Sequence, residues 1–197
     1  MHVLLLSWAV AFGLSHTEKG PTPPAIGACV ADFTVRDVDG QRHSLHDYKD
    51  RKATVIVFVG TECPIANLYL PRLAELHKQY AAKGVQFLAI NSNDQDSAAA
   101  VAAHARERKL TFPVAKDAGH KAADALGARR TPEAFLLDSS RVIRYRGRID
   151  DQYGYTYRRA APTRTELKDA IAELLAGKPI ATPETEVRGC LIGRDKR

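Results

Sequence analysis

Cys63 stands where a buried strand is expected to turn into a helix. The run TVIVFVGTECPIANLYLPRL begins with β-branched and aromatic residues and takes up helical spacing after Pro64. A thiol in the first turn of a helix faces unpaired backbone N–H groups and the positive end of the helix dipole, which both stabilise an anion. We therefore expect the pKa of Cys63 to lie below the free value of ~8.5, which would make it a nucleophile near neutral pH. The carboxylate of Glu62 acts in the opposite direction, and a buried structural cysteine is the alternative interpretation.

The second chemical feature is a proline that enters a strand, in the sequence RRTPEAFLLD. Pro132 follows Thr131 directly before the apolar run, and a proline in a sheet belongs at the first residue of a strand or at an edge. Because cis bonds are rare even before proline, the residues alone favour a trans bond between Thr131 and Pro132.

The elements that would position these residues alternate between strand and helix. A β-hairpin is predicted around the turn signal Asp39-Gly40, and two continuous apolar runs predict strands buried on both faces. Such an order predicts an α/β fold, a three-layer domain whose mixed central sheet is flanked by helices. In chain order the segments are CVADFTVRDVDGQRHSL (hairpin), ATVIVFVG (strand), PIANLYLPRLAELHKQYAAKG (helix, with Leu68, Leu73, Leu76 and Tyr80 near one face), VQFLAINSN (strand), DQDSAAAVAAHARERKL (helix), FPVAKD (short edge strand or extended link), GHKAADALGA (short helix), EAFLLD and VIRYRGRID (strand pair) and TRTELKDAIAELLAGK (helix).

Size and composition fit one ordinary soluble domain. The chain has 197 residues, of which 45% are hydrophobic and 26% charged. The formal net charge is +6, but long Lys/Arg runs with interleaved aromatic residues are missing, so we interpret the charge as a basic solvated surface and not as a nucleic-acid site. No pair of cysteines has the short spacing of a metal site.

The N-terminus carries a continuous apolar run from Val3 to Leu14. It has about the length of a signal-peptide core and is short for a membrane span, although no Lys or Arg precedes it. We expect residues 1–15 to be an export signal, with an uncleaved membrane anchor or a wrongly assigned start codon as alternatives. Residues 16–25 read as a proline-rich linker, 26–177 as the folded domain and 178–197 as an irregular C-terminal tail. Export to the periplasm or the extracellular space would place the cysteines where disulfides persist.

Four segments together resemble the thioredoxin superfamily: DFTVRDVDGQRHSLHDY, ATVIVFVGTECPIANLYLPRL, TPEAFLLD and YRGRIDDQYG. The resemblance is strongest to the redoxin branch, the alkyl hydroperoxide reductase/thiol-specific antioxidant and thiol-disulfide oxidoreductase group of exported bacterial proteins, and it covers roughly Ile26 to Gly177. It implies a thioredoxin-like fold in which Cys63 is the nucleophile and Thr131-Pro132 is a cis-proline loop facing that sulfur. In this family the residue before the proline offers backbone hydrogen bonds to a bound peptide or disulfide partner. The resemblance also implies a thiol or disulfide protein as partner and no organic cofactor, because sulfur carries the electrons.

The sequence departs from this family at two positions. Thioredoxins carry C-x-x-C, whereas Ala66 stands where the second cysteine would be. Typical peroxiredoxins place a threonine or serine three residues before the cysteine, a position that Gly60 occupies, and Thr61 comes one residue too late. Peroxide is therefore the less favoured substrate.

Exchange at Cys63 requires a second thiolate from elsewhere. Cys190 is the better candidate, because the tail from Lys178 can extend ~3.3 Å per residue and so reach across a domain of roughly 16 Å radius. A free thiol and a bridge to another chain are the alternatives for Cys190. Cys29 lies at the start of the N-terminal hairpin, and we expect it to be a strand residue that packs in the core or at an edge.

The leading prediction is an exported thiol-disulfide oxidoreductase in which Cys63 attacks a disulfide and Cys190 or an external thiol resolves the intermediate. Two other classes stay open, a redox-inactive interaction domain and a copper-handling protein, since soft thiolates suit Cu(I). The polar-aromatic loop after the last strand is interpreted as structural, with a border of the active site or a partner surface as the alternative. The histidines available to copper are His77, His104 and His120. The polar-aromatic loop contains Arg148, Asp150, Asp151, Tyr153 and Tyr155.

Overall fold

The computed structural model describes residues 23–194. The expected export signal and all but the last residues of the linker lie outside this range. Within it, strands and helices follow one another in the predicted order. The elements are β1 (Thr34–Asp37), β2 (Arg42–Ser44), β3 (Ala53–Phe58), α1 (Pro64–Tyr80), β4 (Val85–Asn91), α2 (Ala98–Glu107), β5 (Val114–Lys116), α3 (Lys121–Leu126), β6 (Arg130–Thr131), β7 (Glu133–Asp138), β8 (Ile143–Gly147), α4 (Glu166–Leu175) and β9 (Cys190–Leu191), with short 3-10 helices at Leu45–Tyr48 and Ala81–Lys83.

Seven of the strands form one mixed sheet in the order β2-β1-β5-β4-β3-β7-β8. β3 lies inside this sheet, parallel to β4 and antiparallel to β7, and all six of its residues are buried. The continuous apolar run therefore forms a strand covered on both faces, as predicted. β7 and β8 pair antiparallel, and the N-terminal hairpin forms at Asp39-Gly40.

The side chains of β3 alternate between two hydrophobic cores, one on each face of the sheet. Val55 and Val57 contribute to the first core, which α1, α2 and α4 cover. Ile56 and Phe58 contribute to the second core, which α3 and the N-terminal segment cover. Each fully buried side chain of this kind stabilises the fold by roughly 1.5–3 kcal/mol. The alternation confirms a three-layer α/β architecture and fixes the position of the loop that follows β3.

The structure differs from the sequence-based expectation in two of these elements. β5 is an inner strand between β1 and β4, not an edge strand. Pro113 made the segment resemble an edge, but it lies just before the first paired residue, Val114, and so removes no donor from the strand itself. In α1, Leu68 is only half-buried, and Tyr69 and Leu70 take the core positions.

The C-terminal tail returns to the domain after α4. Its short strand β9 pairs antiparallel with β6, matching Cys190 with Thr131 and Leu191 with Arg130. The sequence did not predict β9, because two residues are too few to show a period. Among residues 23–194, no helix has both the length and the apolar character needed to cross a membrane.

Candidate active site

Cys63 occupies the N-cap position of α1. Its backbone is extended, with φ −75° and ψ 111°, and Pro64 takes the first helical position, where a missing N–H costs nothing. The side chain is only 4% exposed. Its Sγ donates a hydrogen bond to the carbonyl oxygen of Thr131 at 2.9 Å. The thiol thus lies at the carboxyl end of β3 and the N-terminus of α1, as the sequence predicts.

Thr131 and Pro132 form the loop that faces this sulfur. The peptide bond between them is cis, which the family resemblance implies and the residues alone did not favour. Both residues are buried. The Thr131 hydroxyl finds no acceptor among the described residues while Cys63 is a thiol, and it stabilises the thiolate form of Cys63.

Cys190 lies beside Cys63, because β9 places it opposite Thr131. Each cysteine shifts the pKa of the other, and Cys190 remains exposed to solvent. The preceding residue must be glycine, since a Cβ on Gly189 would collide with the carbonyl oxygen of Thr131. The residues predicted as the site, Cys63, Cys190, Thr131 and Pro132, are therefore neighbours in space.

The pKa values of the two thiols move in opposite directions. Burial by itself raises the pKa of Cys63. Hydrogen bonds from the Cys190 and Thr131 side chains and from the backbone N–H groups of Ala66 and Cys190 lower it. These bonds outweigh burial, so the pKa of Cys63 lies below its ordinary value. The Ala66 N–H belongs to the first turn of α1, which is the source of anion stabilisation expected from the sequence. Burial, the hydrogen bond to Cys63 and the charge of Cys63 raise the pKa of Cys190 to about 11. Cys63 is therefore the thiol that ionises first.

Contacts just before Cys190 hold the tail to the domain. The Tyr155 hydroxyl donates to the carbonyl oxygen of Gly189 at 2.8 Å and accepts from the Gly189 N–H at 3.1 Å. The Arg130 guanidinium donates to the same carbonyl at 2.8 Å and to the Tyr155 hydroxyl at 2.8 Å. The loop that we interpreted as structural thus places Tyr155 beside the predicted site, in line with the alternative interpretation of this loop.

Contacts after Cys190 hold the tail on its other side. Ile192 is 7% exposed, packs into the second core and donates its N–H to the carbonyl oxygen of Arg129 at 2.9 Å. The Gly193 N–H donates to the Asn93 side chain at 2.9 Å, and the Gly193 carbonyl accepts from the Asp94 N–H at 3.0 Å. Cys190 is consequently fixed from both directions.

A buried carboxylate supports the loop before Cys63. Asp96 accepts hydrogen bonds from the Thr61 hydroxyl at 2.6 Å and from the Asn91 and Asn93 amides at 2.6 and 3.1 Å. Burial raises the pKa of Asp96, but these bonds outweigh it and leave the pKa below its usual value. The signal that could have revealed this network is the polar run NSNDQD, which starts at Asn91, the last residue of the buried strand β4.

The position that carries the hydroxyl in typical peroxiredoxins is filled differently here. A Cβ on Gly60 would approach the Asn93 amide nitrogen to 2.6 Å, so the close contact requires glycine. The Thr61 hydroxyl, one residue later, is engaged with Asp96. These contacts agree with the lower expectation for peroxide.

The remaining predicted residues lie in structural contacts. Cys29 is exposed and bridges to Val142 at the edge of the domain, so the core alternative for it was wrong. Asp150 is buried and bonded to Tyr69, as expected for a structural loop. His77 contacts Thr111, His104 contacts Asn67 and His120 lies near Gly193. Between residues 23 and 194, no three His, Cys, Asp or Glu side chains converge in a way that could hold a metal ion. In that range, the copper hypothesis therefore lacks a third ligand of these types.

The central mixed sheet, the cysteine that caps the first long helix and the facing cis-proline loop define a protein with a thioredoxin-like fold. The AhpC/TSA family model matches residues 26–146. The chain belongs to this family.

Named relatives are thiol-disulfide oxidoreductases. The chain is 31% identical over 147 residues to thiol-disulfide oxidoreductase ResA of Geobacillus thermodenitrificans, covering 72% of this chain and 82% of the relative. It is 33% identical over 141 residues to ResA of Bacillus cereus, covering 69% of this chain and 78% of the relative. These relationships support a redox function.

Solved structures share the architecture. The hypothetical protein SMc02350 of Sinorhizobium meliloti superposes with a TM-score of 0.81 at 31% identity, over 89% of this chain and 98% of that one. A putative thiol:disulfide interchange protein DsbE of Chlorobium tepidum superposes with a TM-score of 0.60 at 18% identity, over 78% of this chain and 97% of that one. The latter likeness concerns the fold alone.

Proposed function

We propose that this protein is an exported thiol-disulfide oxidoreductase in which Cys63 is the nucleophile and Cys190 is the resolving thiol. The observation that carries the proposal is the placement of both cysteines around Thr131: the Cys63 thiol donates to the Thr131 carbonyl oxygen at 2.9 Å, and Cys190 pairs with Thr131 between β9 and β6. The ResA relatives are thiol-disulfide oxidoreductases, which is the same reaction class. The partner is a disulfide or thiol protein.

The pKa values give the reaction an order. The Cys63 thiolate attacks one sulfur of the partner disulfide, the partner's other sulfur leaves as a thiolate, and a mixed disulfide forms. Cys63 then carries no charge, so the electrostatic and hydrogen-bond causes that raise the pKa of Cys190 disappear. Cys190 loses its proton more readily and attacks the Cys63 sulfur. The partner leaves as a dithiol, and the protein holds a Cys63–Cys190 disulfide.

Export rests on the apolar run from Val3 to Leu14. An oxidising compartment suits a protein that cycles through a disulfide. N-terminal sequencing of the protein recovered from the periplasm or medium tests this part: a start near residue 16 agrees with export and cleavage, and retention of Met1 in the cytoplasm contradicts it.

The test of the reaction uses single-cysteine replacements. Disulfide exchange with a protein disulfide such as that of insulin is measured for the reduced protein, for Cys63→Ser and for Cys29→Ser. We expect Cys63→Ser to fall to background and Cys29→Ser to remain at the rate of the unmodified protein, because Cys29 lies at the domain edge. Undiminished exchange by Cys63→Ser would refute the proposal.

A further inference from the structure

A single buried amide lies between the two segments that carry the reactive cysteines. Asn93 follows the end of β4 by two residues and is only 4% exposed. Its Oδ1 accepts the backbone N–H of Gly193 at 2.9 Å, and its Nδ2 donates to the carboxylate of Asp96 at 3.1 Å. A buried amide costs free energy unless it is bonded, and here both ends of the side chain are bonded. Asn93 therefore bridges the C-terminal tail to the loop between β4 and α2.

The Asp96 end of this bridge leads to Cys63. The Asp96 carboxylate accepts from the backbone N–H of Thr61 at 3.2 Å and from the Thr61 hydroxyl at 2.6 Å, two residues before Cys63. Asn93 also packs directly against Gly60, where an added Cβ would approach the Asn93 amide nitrogen to 2.6 Å. The amide thus supports the loop that carries Cys63 once through Asp96 and once directly.

The Gly193 end of the bridge leads to Cys190. Gly193 lies three residues after Cys190, and its carbonyl oxygen accepts the backbone N–H of Asp94 at 3.0 Å. Asn93 and Asp94 therefore bind both backbone groups of Gly193. The strand β9 pairs over two residues only, Cys190 and Leu191. Because so short a strand has few hydrogen bonds of its own, the anchor at Gly193 helps to fix the position of Cys190.

The backbone of Asn93 is held as firmly as its side chain. Its N–H donates to the side-chain oxygen of Asn91 at 3.2 Å, and its carbonyl oxygen accepts the N–H of Asp96 at 3.1 Å. The Lys116 ammonium donates to the same carbonyl and, at 3.2 Å, to the Asn91 side chain. The amide of Asn93 is therefore oriented before the tail binds to it.

The two bonds of the bridge require an amide at this position. The side chain must offer an acceptor to Gly193 and a donor to Asp96, and asparagine provides both on one planar group. An aspartate could accept from Gly193, but it would bring a second carboxylate against Asp96. A leucine has a similar size but neither an acceptor nor a donor. Replacements of Asn93 can therefore remove the two bonds separately or together.

We infer that Asn93 is a positioning residue for the two thiols, whose amide holds the tail at the distance from the Cys63 loop at which Cys63 and Cys190 form their disulfide. The inference rests on the proposed function and names the side chain that sets the equilibrium between dithiol and disulfide. Holding two reacting groups in place raises their effective concentration, so loss of the bridge disfavours the disulfide. Asn93 acts through Asp96 and Gly193.

The first test measures the disulfide equilibrium against glutathione. Reduced protein and one glutathione disulfide give the Cys63–Cys190 disulfide and two glutathione thiols, so two electrons and two protons pass from the protein to glutathione. Glutaredoxin brings the mixture to equilibrium, and the acid-quenched, alkylated forms are quantified by mass spectrometry. For Asn93→Leu we expect an equilibrium constant lower by about tenfold or more, because both hydrogen bonds are lost. Gln95→Leu, the control, replaces an exposed amide beside Gly193 and should stay within about twofold.

The second test uses Asn93→Asp to separate positioning from a general loss of packing. This variant keeps the acceptor for Gly193 but sets two carboxylates against each other, and such a pair takes up one proton more readily than a single carboxylate does. Once protonated, one carboxyl group donates to the other, as the amide does. Its equilibrium constant relative to the unmodified protein should therefore rise from about pH 8 to about pH 5.5, whereas the ratio for Asn93→Leu should stay flat. The other charged or titratable groups that face this loop are the same in every variant, so the ratios cancel their titration: Asp94, Lys116, Asp117 and His120.

The outcomes separate the inference from the proposed function. An unchanged constant in Asn93→Leu, or a ratio for Asn93→Asp that does not recover at low pH, would overturn the inference, while the disulfide of the unmodified protein would still support the proposed function. Absence of the Cys63–Cys190 disulfide from the unmodified protein would overturn both. Urea unfolding of each reduced variant shows whether it is folded. If Asn93→Leu does not fold, the recovery of Asn93→Asp at low pH decides alone.

Discussion

The two exposed cysteines of this chain, Cys29 and Cys190, lie in similar local structure but in different places of the fold. Cys29 forms an isolated β-bridge with Val142, and Cys190 pairs with Thr131 in the two-residue strand β9. Among the described residues, the sulfur of Cys29 reaches backbone carbonyls, those of Ser140 at 3.5 Å and Val30 at 3.9 Å. Thr131, the residue that Cys190 pairs with, also accepts the hydrogen bond of the Cys63 thiol at 2.9 Å. Both cysteines are exposed, so the residue that each cysteine pairs with determines what its sulfur can reach.

The largest effect expected from this difference concerns disulfide formation. Cys190→Ser should abolish the intramolecular disulfide after mild oxidation and leave Cys63 as a sulfenic acid or a mixed disulfide with added thiol. Cys29→Ser should form the disulfide as completely as the unmodified protein. Non-reducing mass spectrometry of both variants measures this. A Cys63–Cys29 disulfide, or loss of the bond in Cys29→Ser, would show that the comparison is wrong.

A smaller effect is expected from the packing of β9. In Gly189→Ala, the added methyl group collides with the carbonyl oxygen of Thr131, and overpacking of this kind costs about 1–3 kcal/mol. The equilibrium constant for forming the Cys63–Cys190 disulfide against a glutathione redox buffer should fall by about tenfold or more. Thr182→Ala, an exposed replacement in the same tail, serves as the control. An unchanged constant in Gly189→Ala would mean that β9 does not position Cys190.

The smallest effect is a shift in the pH dependence of Cys63 alkylation. The rate rises with the thiolate fraction and reaches a plateau above the pKa, so a lowered pKa moves the midpoint to lower pH. We expect a midpoint for Cys63 below the ~8.5 of a free cysteine. The absolute rate will be low because the sulfur is buried, so the midpoint and not the rate is the test. Thr131→Val should raise the midpoint and Thr131→Ser should preserve it, and a midpoint at or above ~8.5 in the unmodified protein would remove the basis for a reactive thiol.

Much of the fold follows from periodicity in the sequence. The buried strands β3 and β4 and the strongly periodic α4 were predicted because long runs average out local exceptions. The strand β5 was misplaced because its position inside the sheet depends on pairing with β1, which lies far away along the chain. Periodicity reports which residues are buried, but it does not report which strands are neighbours.

The residues of the candidate site also differ in whether the local sequence marks them. Cys63 was found from its position at a strand-to-helix junction, and the cis bond at Pro132 was implied by family resemblance. Cys190 was proposed only because the tail is long enough to reach, and nothing local marked its strand. For the loop that contains Tyr155, a border with the site was only the alternative interpretation, because a tyrosine hydroxyl that binds a tail glycine leaves no pattern in either segment.

In the oxidised form that we propose, the sulfur–sulfur bond would cross-link the start of α1 to the C-terminal tail and enclose most of the domain in one covalent ring. In the chain-entropy account, a ring of ~100 residues restricts the denatured chain by roughly 4 to 5 kcal/mol, far more than the small ring of a C-x-x-C motif. Thermodynamic linkage makes this reciprocal: the cross-link would stabilise the native state, and the native state would hold the cross-link against reduction. The reduction potential of this disulfide would then depend on the stability of the native state. The urea concentration at the midpoint of unfolding should be higher for the oxidised protein than for the reduced protein.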